Sequence, residues 1–207
     1  MNNKIVFGIG GVVIGLILAG TLTSIIFSGY RYGGFGIMGN NQNTGSTQMG
    51  GNIDRHFIEQ MIPHHEGAVT MAKMALEKSK RPEVKTIATA IIEGQTKEII
   101  DMTGWYKNWF GKNVPKGSTE SLGGGMMSQS GMHMGGQEDI RALENASDFD
   151  KAFLEAMIPH HQLAIMMVQT LEVGTNRPEM LQLAKNIAVS QSKEIVEMLG
   201  WYESWYK

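Results

Sequence analysis

The chain of 207 residues contains no cysteine. Disulfides, thiolate metal sites, a cysteine nucleophile and a lipid-modified N-terminal cysteine are therefore excluded. Aromatic residues make up only 8% of the chain and the net charge is −2, so no basic surface indicates a nucleic-acid partner. What the chain has instead is 16 methionines and six histidines, which are soft or borderline metal ligands.

A long uncharged run lies near the N-terminus, over residues 5–27. It has 23 residues, and roughly 20 apolar residues suffice to span a bilayer as a helix. Residues 1–33 are therefore predicted to be a transmembrane anchor, with a cleaved signal peptide as the alternative. Both interpretations place the rest of the chain outside the cytoplasm, anchored to the membrane in the first case and secreted in the second.

The remainder of the chain repeats itself without gaps at an offset of 96 residues. Met-Ile-Pro-His-His at 61–65 returns at 157–161, and Gly-Trp-Tyr at 104–106 returns at 200–202. A fixed offset of this kind indicates two related structural units. The predicted order is a flexible tether at 34–52, a first helical hairpin at 53–112, a Gly/Met-rich linker at 113–146 and a second helical hairpin at 147–207.

Each unit is predicted to contain two helices. In the first unit they run from about Asp54 to Ser79 and from Pro82 to Phe110, because proline suits a first helical turn and a glycine follows the last periodic residue. In the second unit Ser147 is the predicted N-cap. One hairpin cannot bury its apolar stripe alone, so the two are expected to close into an all-α four-helix bundle.

Helical geometry places the histidines on the inner faces. At 100° per residue, His64 lies in the middle of an apolar stripe and His65 lies on its flank. The second unit repeats this arrangement at His160 and His161. The proline before each pair is expected to kink or restart the helix at that point.

The second helix of each unit carries two polar residues on its apolar arc. They are Gln95 and Glu98 in the first unit and Gln191 and Glu194 in the second. A buried carboxylate needs a partner, and the histidines are the obvious ones. One interpretation is a polar core network of glutamate–histidine hydrogen bonds. The other is a metal site in which these four residues orient the histidine rings.

A metal site in the bundle would combine imidazole with thioether ligands, because methionines recur on the same faces as the histidines. Imidazole and thioether without thiolate suit copper, above all Cu(I) outside the cytoplasm, and leave another transition metal open. The predicted bundle ligands are His64, His65, His160, His161, Met61, Met71, Met102, Met157, Met167 and Met198.

A second candidate site lies in the linker, in the glycine-rich residues 123–136. Exposed methionine has no packing role there, whereas methionine on a helix stripe usually fills the core. A run of this kind can wrap a soft cation, with a plain linker as the alternative. The predicted ligands are Met126, Met127, Met132, His133 and Met134.

Aromatic residues recur near the end of each unit, at 105–110 and 201–206. Their helical spacing predicts an aromatic plug at a bundle end. A dimer interface and a membrane-facing belt are the alternatives, so a homo-oligomer stays open.

The doubled Met-Ile-Pro-His-His motif with its later Gly-Trp-Tyr resembles the "domain of unknown function 305" family over residues 53–207, apart from the linker. The resemblance implies a ferritin-like four-helix bundle in an exported or anchored bacterial protein. Family members are often associated with copper binding or copper tolerance. The family's histidine pair corresponds to His64 and His65 and to His160 and His161, and the resemblance assigns no catalytic residue.

The predicted function is extracytoplasmic metal binding, in which copper is held for buffering, tolerance or delivery and no substrate is transformed. A metal-free structural or oligomerising module is the main alternative, and a di-iron oxidase is a weaker one. Di-iron centres in four-helix bundles use Glu-x-x-His pairs, and the sequence contains none.

Deletion of residues 123–136 is expected to remove some Cu(I) equivalents while the fold and the bundle site persist. Ordering a flexible segment costs roughly 1–2 kcal/mol per residue, so the linker site should be the weaker one. Thioethers stay neutral in acid whereas histidine protonates near pH 6.5, so the loss should be clearest at low pH. Cu(I) titration against a chromophoric chelator measures it, and equal stoichiometry at every pH would leave this segment as a plain linker.

Overall fold

A computed structural model describes residues 46–115 and 136–207, with side chains described from residue 53. This part of the chain contains helices and no strands, which confirms the all-α prediction there. The five helices are α1 (Ser46–Lys78), α2 (Pro82–Phe110), α3 (Gln137–Glu144), α4 (Phe149–Gly174) and α5 (Pro178–Tyr206). None of these described helices is both long and apolar enough to cross a membrane. The predicted anchor or signal at 1–33 lies outside the described residues.

In the first hairpin, the bounds of α2 match the prediction and the start of α1 does not. α2 has the predicted bounds and ends at Gly111, whose φ of 66° lies in the left-handed region that glycine favours. α1 begins at Ser46 rather than at Asp54, so this helix includes residues 46–52, which were predicted to end the tether. Glycines at 50 and 51 favoured a tether, but a helix penalty of about 1 kcal/mol per glycine is a weak prior.

Both histidine-bearing helices run without a break through an internal proline. Pro63 lies inside α1 and Pro159 inside α4. Each proline lacks the N–H that would bond the carbonyl four residues earlier. The alternative that the helix restarts there is nevertheless wrong, because packed turns on both sides of each proline hold the helix together.

The second hairpin begins at a different capping residue from the predicted one. Asp148, not Ser147, is the N-cap of α4, and its carboxylate accepts a hydrogen bond from the backbone N–H of Lys151. A carboxylate at this position also interacts favourably with the positive end of the helix dipole. The short helix α3 precedes this cap and packs against α4 and α1.

The two hairpins meet along α1 and α4. In one core cluster, Ala75 near the end of α1 packs with Phe153 near the start of α4. In the other cluster, Phe57 in the first half of α1 packs with Leu171 near the end of α4. α1 and α4 therefore run antiparallel, and the sequence repeat becomes a pseudo-twofold arrangement of two hairpins around a shared core.

The aromatic residues at the end of each hairpin contact an arginine of the other hairpin. The guanidinium of Arg81 lies 3.9 Å from the ring centroid of Trp205, and that of Arg177 lies 4.0 Å from that of Trp109. Because the hairpins are antiparallel, the aromatic residues of α2 join one core cluster and those of α5 join the other. The predicted aromatic plug is thus present at both ends of the core.

Arg177→Ala is expected to lower the free energy of unfolding by about 2 kcal/mol, because it leaves a buried carboxylate without its cationic partner. Nε of Arg177 donates to Oδ2 of Asp54 at 3.0 Å, and Asp54 is only 1% exposed. Arg81→Ala is the matched control and should cost about 1 kcal/mol, since Asp150 accepts a hydrogen bond from the backbone N–H of Lys80. Urea unfolding measures both changes, and equal losses would contradict this account.

Candidate metal centre

A layer of polar side chains separates the two apolar clusters at the middle of α1 and α4. Its members are no more than 4% exposed, and they are His64, His65, His160, His161, Gln95 and Gln191. The prediction that these positions face the interior is confirmed. Whether these residues can act as metal ligands depends on which of their polar atoms are already engaged in hydrogen bonds.

The central contact of this layer joins the two hairpins. The rings of His64 and His160 lie with centroids 3.7 Å apart and an interplanar angle of 36°. Nε2 of His160 is 3.2 Å from the carbonyl oxygen of His64. Helical periodicity assigns each ring to a face but carries no signal for which ring it meets, so this tilted ring contact was not predictable from the sequence.

A histidine–glutamate pair within each hairpin flanks the central contact. Nε2 of His65 lies 2.6 Å from Oε2 of Glu98, and Nε2 of His161 lies 2.6 Å from Oε2 of Glu194. The imidazoles are fully buried, whereas each glutamate side chain is 15% exposed. The predicted glutamate–histidine hydrogen bonds are therefore present in both hairpins.

Burial disfavours the charged form of three imidazoles in this layer. It lowers the pKa of His64 and His160 well below the usual value, and it lowers the pKa of His65 to about 3, because a charged ring would lose its hydration. Burial, and secondly the nearby charge of Glu194, raises the pKa of Glu98 to about 7. The contact between His65 and Glu98 is thus a hydrogen bond of a neutral ring rather than an ion pair.

Most buried side-chain atoms that lack a hydrogen-bond partner in the described part of the chain lie in this layer. They include Nδ1 of all four histidines, Nε2 of His64 and both amide atoms of Gln95 and Gln191. Leaving such an atom without a partner costs about 1–3 kcal/mol, and native interiors rarely do so. Their concentration in one layer indicates a place where an ion or ordered water binds.

The hydrogen bonds of the layer engage Nε2 in three of its rings. A backbone carbonyl only accepts, so Nε2 of His160 carries the hydrogen that it shares with His64. Nε2 of His65 and of His161 each share a hydrogen with a glutamate oxygen. Burial disfavours the charged form of His160, so its Nδ1 is left as a bare lone pair, the form that binds a metal.

The predicted methionine ligands lie in the apolar clusters on the two sides of the layer. Met71, Met157 and Met198 belong to one cluster, Met61 and Met102 belong to the other, and Met167 packs against the latter. Met61 is about one helical turn from His64, whereas Met71 is two turns away, a rise of about 10.5 Å. Met61 and its repeat equivalent Met157 are therefore the thioethers best placed to reach the layer.

Within the described residues, no three His, Asp or Glu side chains are grouped so that they could hold one ion. An ion in the layer would accordingly need a thioether or amide donor besides imidazole, or a small rotation of the rings. The predicted linker ligands at 126, 127, 132, 133 and 134 lie outside the described residues, and their role stays a prediction.

Comparison with known proteins links this arrangement to a family and to copper. The family model "Domain of unknown function (DUF305)" matches residues 54–205. The structure of CopM in its Cu(I)-bound form is 44% identical, with a TM-score of 0.64, and the match covers 74% of this chain and 98% of CopM. CopM has also been solved in Cu(II)-bound, Ag-bound and apo forms.

Two further similarities are less informative about function. A DUF305 fragment from Deinococcus radiodurans is 27% identical with a TM-score of 0.61, and the match covers 72% of this chain and 93% of that fragment. The uncharacterized protein L153 of Acanthamoeba polyphaga mimivirus is 43% identical over 49 residues, which are 24% of this chain. That match spans only 32% of L153.

The metal-free protein is expected to lose stability as the pH falls from 7 towards 5. His64, His65 and His160 resist protonation when folded but bind protons near pH 6.5 when unfolded, so each contributes up to about 1.4 kcal/mol per pH unit. Glu98 opposes this trend between pH 4.5 and about 7, because its folded carboxyl holds its proton more tightly. The contribution of three histidines to the pH dependence is larger than the opposing contribution of one glutamate. The free energy of unfolding should therefore still fall as the pH falls.

Urea unfolding between pH 7 and 5 measures that slope. His64→Gln should make it shallower by up to about 1.4 kcal/mol per pH unit. His56→Gln is the control, because His56 is exposed and its replacement should leave the slope unchanged. Equal slopes in all three proteins would show that the buried ring is not the source of the pH dependence.

Proposed function

The chain belongs to the DUF305 family, and from that membership and the buried imidazole layer we propose that it is a copper-binding protein. CopM, which it resembles over nearly the whole length of CopM, is described as binding Cu(I), Cu(II) and Ag. The proposal transfers this ligand class to the present chain. The four histidines of the doubled motif supply the chemical basis for the transfer.

The observation that carries the proposal is the set of buried Nδ1 atoms without partners among the described residues. A neutral imidazole lone pair is a ready metal ligand, and its energetic cost in a dry interior is removed when a cation binds it. Glu98 and Glu194 hold the opposite nitrogen of two of these rings. Such an acceptor fixes the tautomer and makes the ligating nitrogen more basic.

The available donors favour copper over harder metals. The proposed ligands are His64, His65, His160 and His161, with Met61 and Met157 as the nearest thioethers. Imidazole and thioether are soft enough for Cu(I), and Mg²⁺ or Ca²⁺ would need an oxygen-rich site. Met71, Met102, Met167 and Met198 are proposed as secondary candidates, since they fill the adjoining clusters.

We propose that the protein binds copper for buffering, tolerance or delivery and transforms no substrate. The two glutamates that contact the layer, Glu98 and Glu194, are already engaged with histidines, and a di-iron oxidase would require further bridging carboxylates. We also propose that the fold is ferritin-like and that the protein lies outside the cytoplasm. That location is based on the uncharged run at residues 5–27.

A metal-free structural module is the alternative that one observation favours. The hydrogen bonds of 2.6 Å in both hairpins already satisfy one nitrogen of His65 and of His161. In that case the layer would specify how the two hairpins pair, a role known for some buried polar groups. Metal analysis of the purified chain separates the two functions, because a structural module retains no copper after exhaustive washing.

His64→Ala combined with His160→Ala is expected to weaken Cu(I) binding by at least tenfold, because it removes both rings of the central contact. Competition with a chromophoric Cu(I) chelator measures the affinity, and circular dichroism measures helix content, which should change far less. His56→Ala is the control for an exposed histidine. Unchanged affinity in the double variant would contradict a copper site in the bundle and would leave the linker segment 123–136 as the remaining candidate.

A further inference from the structure

We propose that the exposed face of α5 is an interface at which two copies of this chain pair in antiparallel orientation. The surface lies on the solvent side of α5, away from the buried histidine layer. The proposal therefore does not depend on copper binding. It also differs from the aromatic ends of the hairpins, where the sequence left an oligomer open.

The first observation is a line of exposed residues on α5 that follows the spacing of a coiled coil. Successive members are four, three, four, three and four residues apart, a pattern that places side chains at the a and d positions facing a partner helix. All six are exposed, with Val189 at 65%, Val196 at 60% and Leu199 at 43%. The members of this seam are Lys185, Val189, Ser192, Val196, Leu199 and Glu203.

The first hairpin provides an internal comparison, because α2 is the repeat equivalent of α5. The positions of α2 that correspond to the seam are Thr89, Glu93, Thr96, Ile100, Thr103 and Lys107. All six are exposed as well, so folding places the same demand on both surfaces. Ile100 is the only apolar residue among them, whereas the seam has three. Packing within the bundle does not account for this difference, so we assign the apolar residues of the seam to contact with a partner.

The charged ends of the seam identify the partner as a second copy in antiparallel orientation. In an antiparallel coiled coil an a position packs against a d position of the other helix. A register centred near residue 194 places Val189 of one copy against Leu199 of the second copy and Ser192 against Val196. The same register places each Lys185 opposite a Glu203.

A parallel pair would be less favourable. It would place Lys185 against Lys185 and Glu203 against Glu203, and like charges that face each other across an interface are destabilising. Antiparallel pairing instead gives two oppositely charged contacts. It is also symmetric about a twofold axis, so both copies use the same surface and assembly stops at a dimer.

The width of the seam favours a helix over a broader partner. A stripe that is restricted to a and d positions is the narrow seam of a coiled coil. Polar residues border it on the solvent side, where Lys193 forms an ion pair with Glu197. A helix that lies on a bilayer would need a wider apolar face.

The length of the seam sets the strength of the dimer. Residues 185–203 correspond to about 27 Å of helix. Two helices in contact over that length form an interface at the small end of the range for specific complexes. The dimer should therefore be reversible and should dissociate on dilution.

The first test is sedimentation equilibrium of the full metal-free chain in a non-ionic detergent. The wild-type chain should show a concentration-dependent dimer. Val196→Glu places a carboxylate in the centre of the seam and should raise the dimer Kd at least about tenfold. Ile100→Glu is the matched control, because Ile100 is the repeat equivalent of Val196 and is 64% exposed. Its Kd should stay within about threefold of the wild-type value.

Charge reversal tests the antiparallel register. Lys185→Glu places two glutamates opposite each other at each end of the seam and should raise the dimer Kd about fivefold at low salt. Lys185→Glu combined with Glu203→Lys restores opposite charges and should return the Kd to within about threefold of the wild-type value. A double variant that is as weak as the single one would contradict this register.

Disulfide trapping tests the same register without background, because the chain has no cysteine. A mixture of Val189→Cys and Leu199→Cys chains should form a covalent dimer on oxidation, since a disulfide requires Cα atoms within about 7 Å. Each variant alone should not, because identical positions lie about 15 Å apart along the antiparallel axis. The control is a mixture of Glu93→Cys and Thr103→Cys chains, the equivalent positions of α2, which should remain monomeric on electrophoresis.

Three outcomes would each overturn the proposal. The first is a wild-type chain that stays monomeric up to about 100 μM. The second is a Val196→Glu variant that dimerises as strongly as Ile100→Glu, which would place any dimer contact elsewhere on the chain. The third is a cysteine variant at 189 or 199 that forms a covalent dimer without its counterpart, which would indicate parallel pairing.

Discussion

Four imidazoles buried in one layer are the constraint on which the rest of this structure depends. Burying them without full hydrogen bonding is unfavourable, and the layer is stable only because apolar clusters on both sides contribute the burial energy. Two short hydrogen bonds to glutamate and one to a backbone carbonyl satisfy three of the rings at Nε2. Nδ1 of all four rings has no hydrogen-bond partner among the described residues, and under the proposed copper binding an ion would remove that cost.

The antiparallel repeat explains how a single motif brings four rings into one buried layer. α1 and α4 cross at the histidine pairs, so each copy of the motif contributes one ring to the central contact and one ring to a flanking pair. Reciprocal stacking of Arg81 and Arg177 on tryptophans of the opposite hairpin fixes the ends of the crossing. The symmetry is imperfect, because Arg177 also pairs with buried Asp54.

Helical periodicity predicted the faces of this molecule well and the contacts between faces poorly. The angles placed His64, Gln95 and Glu98 inward, and all three are buried or half-buried. Periodicity describes one helix at a time, so it held no information about the tilted contact of His64 with His160. The helix ends were predicted less well, because several neighbouring residues can cap or start a helix. Asp148 rather than the neighbouring serine is the N-cap of α4. The glycines at 50 and 51 did not prevent α1 from starting at Ser46.

The proposed copper binding would couple to the stability of the fold through the unpartnered nitrogens of the layer. A ligand that binds only the folded state stabilises it by RT ln(1 + [L]/Kd), which is about 2.7 kcal/mol at one hundred times Kd. The layer holds nine buried atoms without a hydrogen-bond partner among the described residues, and an ion that bound some of them would remove part of that cost. Under the proposed function, the histidines serve binding at a cost to the metal-free fold.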